Sequence, residues 1–326
     1  MAETTLVTGA SGFIGAALCR TLCEAGLPVR ALHRSTSSLA LLMDLPVERI
    51  VGDILDEASL VRAMTGVTWV FHTAAQSDYW RNPASVWRSA VEGTRNVMEA
   101  ARACGVRRVI HTSSLAALGI PAPGEILDER HAFNLPPHRF PYAHAKYQAE
   151  QEALARAGDG LDVVISNPTV VLGGGDAHQI SGSMVIESAR GLGFVYTDGG
   201  VNLVHITDVA EGHLAAARRG RPGERYILGG ENLTHRELFT ILAAIVGRRP
   251  PRLRITGWMI PTAAAVLEIV GRLIRLPLNG DQLRMSAHRL FCDTSKARRE
   301  LGLTAPRPFR QAAQEAYDWY REQGVI

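Results

Sequence analysis

Short apolar runs rich in Val, Ile and Leu recur along the chain at residues 4–8, 28–32, 47–51, 67–72, 107–112 and 161–167. Runs of that length with little polar alternation suit strands buried on both faces. Longer mixed stretches near 12–25, 56–64, 86–104 and 141–157 lie between them and have helical length. Gly and Pro punctuate the joints, as at Gly26-Leu27-Pro28 and Gly105. This alternation predicts an α/β fold, a parallel sheet covered on both faces by helices. Beyond about residue 170 the regularity weakens. Gly173-Gly174-Gly175 reads as a loop, 178–191 as a helix and 225–228 as a short strand. Thr234, with Glu237 three positions on, reads as the capping box of a further helix. The expected organisation is a regular core over 1–172 and a mainly substrate-binding lobe over 173–326, with some later segments returning to the core.

The first apolar run leads into Thr8-Gly9-Ala10-Ser11-Gly12-Phe13-Ile14-Gly15. A tight strand-to-helix turn needs a residue tolerant of positive φ, and backbone approaches a pyrophosphate closely only where a side chain is missing. A helix starting near Gly12 aims its free N–H groups and positive dipole end at the phosphates. The spacing is GxxGxxG, not the commoner GxGxxG, and a glycine turn without a ligand is the plain alternative. With the alternation above, the turn implies a Rossmann-type doubly wound parallel sheet with a smaller, less regular C-terminal substrate lobe, its core binding a dinucleotide. At the end of the second strand stands Leu32-His33-Arg34, with no acid to hold a ribose 2′-hydroxyl. Arg34 suits a 2′-phosphate, with His33 adding charge when protonated, so NADP(H) is expected over NAD(H). The alternative is a solvated arginine.

Tyr142 follows Pro141, which suits the first turn of a helix, and Lys146 falls four residues on, on the same face. A neighbouring ammonium and the helix N-terminus are both expected to lower the phenol's pKa from about 10, tuning it for proton transfer to a carbonyl oxygen or from an alcohol. Such pairs also occur on ordinary helix surfaces. Ser113 and Ser114 follow the strand ending in His111-Thr112, at the edge where parallel sheets build their sites.

These elements, in this order, resemble the extended short-chain dehydrogenase/reductase family, of the NAD-dependent epimerase/dehydratase type, over nearly the whole chain. The resemblance of residues 8–15 to its nucleotide turn implies cofactor contacts by Gly9, Ser11, Gly12, Phe13, Ile14 and Gly15. Gly52-Asp53-Ile54-Leu55-Asp56 resembles the adenine segment, implying Asp53 on the amino group with Ile54 beside it. His72-Thr73-Ala74-Ala75 resembles the strand end that lines the cofactor, implying Ala74 and Ala75. Thr112-Ser113-Ser114 resembles the catalytic serine stretch, the role carried to Ser114. Residues 142–146 match the YxxxK helix, implying that Tyr142 and Lys146 also touch the cofactor. Asn167-Pro168-Thr169-Val170-Val171 resembles the nicotinamide-side loop, implying Asn167, Pro168 and Val170. Residues 204–210 and 293–297 resemble later landmarks.

Three departures narrow the reading. Leu115-Ala116 follow Ser114 where sugar-nucleotide dehydratases carry Asp-Glu, which argues against a dehydratase. Val201-Asn202 stand where many sugar-nucleotide members carry Arg-Asp, so the phosphate-binding arginine is missing. Ala90 replaces the Asn of the family's Asn-Val-x-Gly-Thr helix. What remains resembles the dihydroflavonol-reductase and 3β-hydroxysteroid-dehydrogenase branch, and also proteins labelled hopanoid-associated sugar epimerases, through Trp80-Arg81-Asn82-Pro83 and residues 202–205. The expected activity is reduction of a carbonyl, or oxidation of the alcohol, by Ser114, Tyr142 and Lys146 with a nicotinamide cofactor. A nucleotide-sugar epimerase with tightly held NAD is the alternative. A non-catalytic cofactor-binding protein is a third reading.

The composition changes little of this. Of 326 residues, 46% are hydrophobic and 21% charged, and 35 basic against 32 acidic residues give +3, too balanced for nucleic acid. No CxxC or His pair has metal-ligand spacing; Cys19 and Cys23 fall one helical turn apart and are expected to pack, so no metal is expected. The arginines of 248–254 read as a solvated surface. The apolar stretch 258–276 is broken by Pro261, Glu268, Arg272 and Arg275 and falls short of a membrane span of about 18 residues. It reads as a helix over a substrate pocket, with membrane-surface contact as the lesser alternative. Phe194, Tyr196, Trp258 and Met259 hint at an apolar small-molecule ligand or are core. No secretory signal precedes the first strand, so a cytoplasmic location is expected. By analogy with the family a homodimer is expected through 86–104 and 141–157, where Ala100, Ala101, Ala103, Ala143, Ala145 and Ala149 permit close helix contact, between copies or within one chain.

Overall fold

The computed structural model describes residues 3–75, 83–271 and 280–326. All six apolar runs are strands: β1 (Thr5–Thr8), β2 (Val29–His33), β3 (Glu48–Val51), β4 (Trp69–His72), β5 (Arg108–Thr112) and β6 (Val163–Pro168). Between them run α1 (Phe13–Glu24), α2 (Glu57–Met64), α3 (Pro83–Trp87), α4 (Gly93–Ala103) and α5 (Pro141–Gly158), with a π-helical turn, Arg88–Glu92, joining α3 to α4. The later half supplies β7 (Val170–Leu172), α6 (Ser183–Ala189), β8 (Val195–Thr197), β9 (Gly200–His205), α7 (Ile206–Arg219), β10 (Arg225–Leu228) and β11 (Glu231–Thr234). It continues with α8 (His235–Ile245), β12 (Leu253–Ile255), α9 (Ile260–Gly271), α10 (Gly280–Met285), β13 (Arg289–Leu290), α11 (Ser295–Leu301) and α12 (Phe309–Glu322). Trp80, Arg81 and Asn82, and residues 272–276 of the apolar stretch, lie outside the described residues.

Seven parallel strands pair in the order β10-β6-β5-β4-β1-β2-β3. The direction of winding reverses between β1 and β4, which opens a crevice at the carboxyl ends of those strands. Alternation along each strand feeds two cores. Leu6, Val70, Val109 and Val163 face one side and pack with Leu60, Met64, Val97 and Met98 of α2 and α4. Their neighbours Val7, Phe71, Ile110 and Val164 face the other and pack with Leu18 and Leu22 of α1 and Val209 and Leu214 of α7. The sheet thus takes its last strand, β10, and the helix α7 from beyond residue 172, and the short strand foreseen at 225–228 is a central-sheet strand.

The lobe is built on β11-β9-β13, with β7 alongside β9, and on a core shared by α6, α8 and α12. The capping box at Thr234 and Glu237 is formed. Ala100, Ala101, Ala143, Ala145 and Ala149 are buried within this single chain, Ala103 being exposed. The buried alanines of α4 and α5 therefore pack within the chain, one of the two uses expected for them.

Candidate active site

The glycine turn is explained by what a side chain would meet. Gly9 has φ +67°, and a Cβ there would lie 2.6 Å from the Ala74 Cα. A Cβ at Gly15 would lie 2.2 Å from the Gly9 carbonyl oxygen, so only glycine lets α1 begin this close to the turn. Gly12 caps α1 with no side-chain hydrogen bond. Ser11, Gly12, Phe13 and Ile14 are half-buried around that open first turn. On the adjacent strand end the Thr73 hydroxyl donates to the Thr8 carbonyl (2.7 Å), and the Ala74 amide to the Thr8 hydroxyl (3.3 Å), which fixes Ala74 opposite the turn. Ala75 is exposed just beyond. Arg34 is exposed immediately after β2, while His33 is buried with its ring against the Arg34 carbonyl (3.1 Å). Asp53 is half-buried after β3, its carboxylate accepting from the Leu55 amide (2.9 Å), with Ile54 buried under Gly93. The structure therefore gathers Gly9–Gly15, Arg34, Asp53, Ile54, Ala74 and Ala75 at the carboxyl ends of β1 to β4.

At the end of β5 the two serines diverge. Ser113 is buried and donates to Glu150 Oε2 (2.6 Å). Ser114 is half-buried, accepts from the Ala116 amide (3.2 Å) as the cap of a short 3-10 turn, and hydrogen-bonds Tyr142. Tyr142, Lys146 and Glu150 recur at a spacing of four on α5 and share one face. Lys146 is buried and donates to the Thr112 carbonyl (3.1 Å). Burial pushes its ammonium down to about 8, against the pull of the Glu150 carboxylate. Burial raises the Tyr142 phenol, and the Ser114 hydrogen bond opposes that. The lowering of the phenol expected from Lys146 is thus reversed: the ammonium is turned to a backbone carbonyl, and loss of solvation dominates at the phenol.

Beneath this face lies a polar network that the sequence reading missed. Glu150 is fully buried, accepts from Asn167 Nδ2 (2.8 Å) as well as Ser113, and pairs with Arg225 Nε of β10 at 2.5 Å. Asn167 also donates to the Ser114 carbonyl (3.1 Å), so one side chain ties the serine backbone to the network. Asn167 and Pro168 end strand β6, and half-buried Val170 opens β7; the expected loop is a strand junction, and the Asn167 side chain points to Glu150. His72 bridges the hydroxyls of Thr8 (2.8 Å) and Thr94 (3.0 Å), its pKa pushed down to about 3 by burial and the charge of Lys146. His111 lies 5.3 Å from His72, ring to ring, and is held well below its ordinary pKa by burial and by its neighbours His72, Lys146 and His213. The spacing Lys146 to Glu150 was a readable signal for Glu150; Arg225 had none, because its role depends on β10 joining β6. No cluster able to hold a metal occurs among the described residues. Phe194, Trp258 and Met259, considered above as ligand contacts or core, are surface-exposed, and Tyr196 lies under the Arg236 guanidinium.

Residues 5–229 match the NAD dependent epimerase/dehydratase family, and the chain belongs to it. It is 36% identical over 329 residues to Sterol demethylase protein B of Methylococcus capsulatus, covering 99% of this chain and 100% of that protein. It is 31% identical over 265 residues to Dihydroflavonol 4-reductase of Zea mays, covering 73% of each. Among solved structures, gox2253 superposes with a TM-score of 0.88 at 39% identity over 99% of both chains. PA4631 of Pseudomonas aeruginosa, described as a nucleoside-diphosphate-sugar epimerase, superposes at 0.85 with 28% identity over 99% of both. The family assignment, the nucleotide-binding α/β fold and the resemblance to the dihydroflavonol-reductase branch all agree with the sequence reading.

Proposed function

We propose that the chain is an oxidoreductase, preferring NADP(H), that reduces the carbonyl of a small apolar substrate or oxidises the corresponding alcohol at Ser114, Tyr142 and Lys146. The observation that carries this reading is the division of labour after β5. Ser113 and Asn167 are committed to Glu150, while Ser114 and Tyr142, both half-buried, are hydrogen-bonded to each other beside buried Lys146.

The residues fit a dinucleotide. A Cβ at Gly9 or Gly15 would run into the protein's own backbone, so glycine at both positions is what makes the strand-to-helix turn this tight, the form of turn that a dinucleotide-binding fold uses. The open first turn of α1 suits a pyrophosphate. Arg34, exposed where an NAD enzyme carries an acid, supports a 2′-phosphate. When bound, the nicotinamide supplies the hydride. Tyr142 donates its phenolic proton to the carbonyl oxygen, and a raised pKa keeps that proton in place at neutral pH, as a general acid in the reducing direction requires. Ser114 hydrogen-bonds the same oxygen. With the cofactor bound, Lys146 would hold the nicotinamide ribose. The reductase name of one relative supports the reaction, and the sterol and dihydroflavonol of the two names support a lipophilic substrate class. A panel of ketones and aldehydes with NADPH tests the proposal: NADPH is consumed in step with the carbonyl. Turnover on a tightly retained nicotinamide, with none consumed, overturns it in favour of the epimerase.

A further inference from the structure

We propose that the outer face of the C-terminal lobe, built from residues 187–199 and 246–259, docks on the surface of an anionic lipid bilayer. The two segments form one surface. Strand β12 pairs with β8, the Arg252 and Leu253 amides donate to the Phe194 carbonyl (3.0 and 3.1 Å), and the Arg248 guanidinium donates to the Ala189 carbonyl (3.0 Å). Of the thirteen large apolar residues exposed among the described residues, five stand here: Leu192, Phe194, Leu253, Met259 and Trp258, the last 81% exposed. Such a concentration marks an interaction surface and not scattered surface apolarity.

The charge identifies the partner. These segments hold five arginines and two carboxylates, Glu187 and Asp198; taking these seven from the chain's 35 basic and 32 acidic residues leaves a balance of zero. The whole net charge of +3 therefore sits with the apolar face. Asp198 is paired with Arg254 (2.6 Å). Between the segments lies a cavity of ≈ 410 Å³ lined by Phe194, Phe239 and Ala243 together with Arg248 and Arg249, an apolar wall with guanidinium groups that suits an acyl chain and its phosphate. Exposed Trp beside Arg is the composition of an interfacial anchor. A twofold contact with a second copy would set the same positive patch against itself. No described helix is long and apolar enough to cross a membrane, so the face lies on the bilayer.

Sedimentation with vesicles tests this without reference to the carbonyl chemistry. The chain binds vesicles of mixed phosphatidylglycerol and phosphatidylcholine, not phosphatidylcholine alone, and a rise from about 0.1 M to about 1 M salt weakens binding. The triple variant R248S/R249S/R252S removes three basic groups from the surface and binds on the order of a hundredfold more weakly. Trp258→Ser weakens binding roughly tenfold or more through lost apolar contact. Unchanged melting temperatures establish that the variants fold, and Phe194→Ser gives an independent apolar test should Trp258→Ser unfold. Equal binding to neutral vesicles, no binding to anionic ones, or variants that bind as the parent does overturns the proposal. Loss of a dimer in Trp258→Ser by analytical ultracentrifugation instead makes the face a contact between copies.

Discussion

Replacing Glu150 with Gln removes one charge from the group that organises the candidate site while keeping its size. The carboxylate faces three partners: Ser113 at 2.6 Å, Asn167 at 2.8 Å and Arg225 at 2.5 Å. The first two can still donate to the glutamine oxygen. Arg225 cannot be paired, and breaking a buried pair costs about 3–5 kcal/mol. The Arg225 side chain is 21% exposed, so water offsets part of this and the expected loss is about 2–3 kcal/mol in chemical denaturation. Glu150 also supports the charge on Lys146, so the ammonium falls below about 8 in the variant. The alkaline limb of kcat/KM therefore moves to lower pH, a change that a purely structural role would not produce. Adding Arg225→Met to Glu150→Gln restores more than half of the stability, because no unpaired charge remains. A stability change under about 0.5 kcal/mol in Glu150→Gln, or an unmoved alkaline limb, would refute the reasoning.

Further outcomes follow from other parts of the site. Lys146 is held at about 8 against an ordinary 10.5, so between those values the unfolded chain binds a proton the folded chain has lost. Stability from this group therefore rises with pH across that window, by about 3 kcal/mol, and the rise is absent in Lys146→Met when unfolding is followed against pH. Gly15→Ala forces a Cβ against the Gly9 carbonyl, where backbone must move; it costs about 1–3 kcal/mol and weakens nucleotide binding at least tenfold by calorimetry, and wild-type affinity would contradict the close-approach argument. Arg34→Asp lowers the preference for NADPH over NADH by roughly ten- to a hundredfold, the worth of a charge-assisted hydrogen bond, and an unchanged ratio would remove Arg34 from the cofactor argument.

The parts legible in the sequence are those set by local physics. Six apolar runs became six strands because each is short, bounded by Gly or Pro and flanked by helical stretches. The glycine turn was legible because Gly9 answers to its own positive φ and Gly15 to the Gly9 carbonyl six residues back, whereas the Ala74 backbone that crowds Gly9 comes from a distant strand end. Tyr142 and Lys146 were legible through helical spacing, and Glu150 continued the same spacing unread. What was not legible depends on distant pairing. Arg225 reaches Glu150 only because β10 joins β6, and 225–228 gave no sign of that partner. Ser113 and Ser114 look alike in sequence, and only the direction of the chain leaving β5 turns one onto Glu150 and the other onto Tyr142. The direction of the phenol's shift is not in the YxxxK spacing, because burial, which raises it, is a property of the packed helix. Residue type alone suggests ligand contact or core for Trp258 and Phe194, but it says nothing about which side of a segment faces water, and both are exposed.

The central claim is that the Tyr142 phenol transfers the proton while the fold around it holds the cofactor. Its most direct measurement is steady-state turnover of Tyr142→Phe beside calorimetric NADPH binding by the same protein. Turnover falls about 10²–10⁴-fold, the contribution of general acid catalysis, while NADPH affinity changes less than about twofold. Turnover within about threefold of the parent, or a loss wholly accounted for by weaker NADPH binding, contradicts the account.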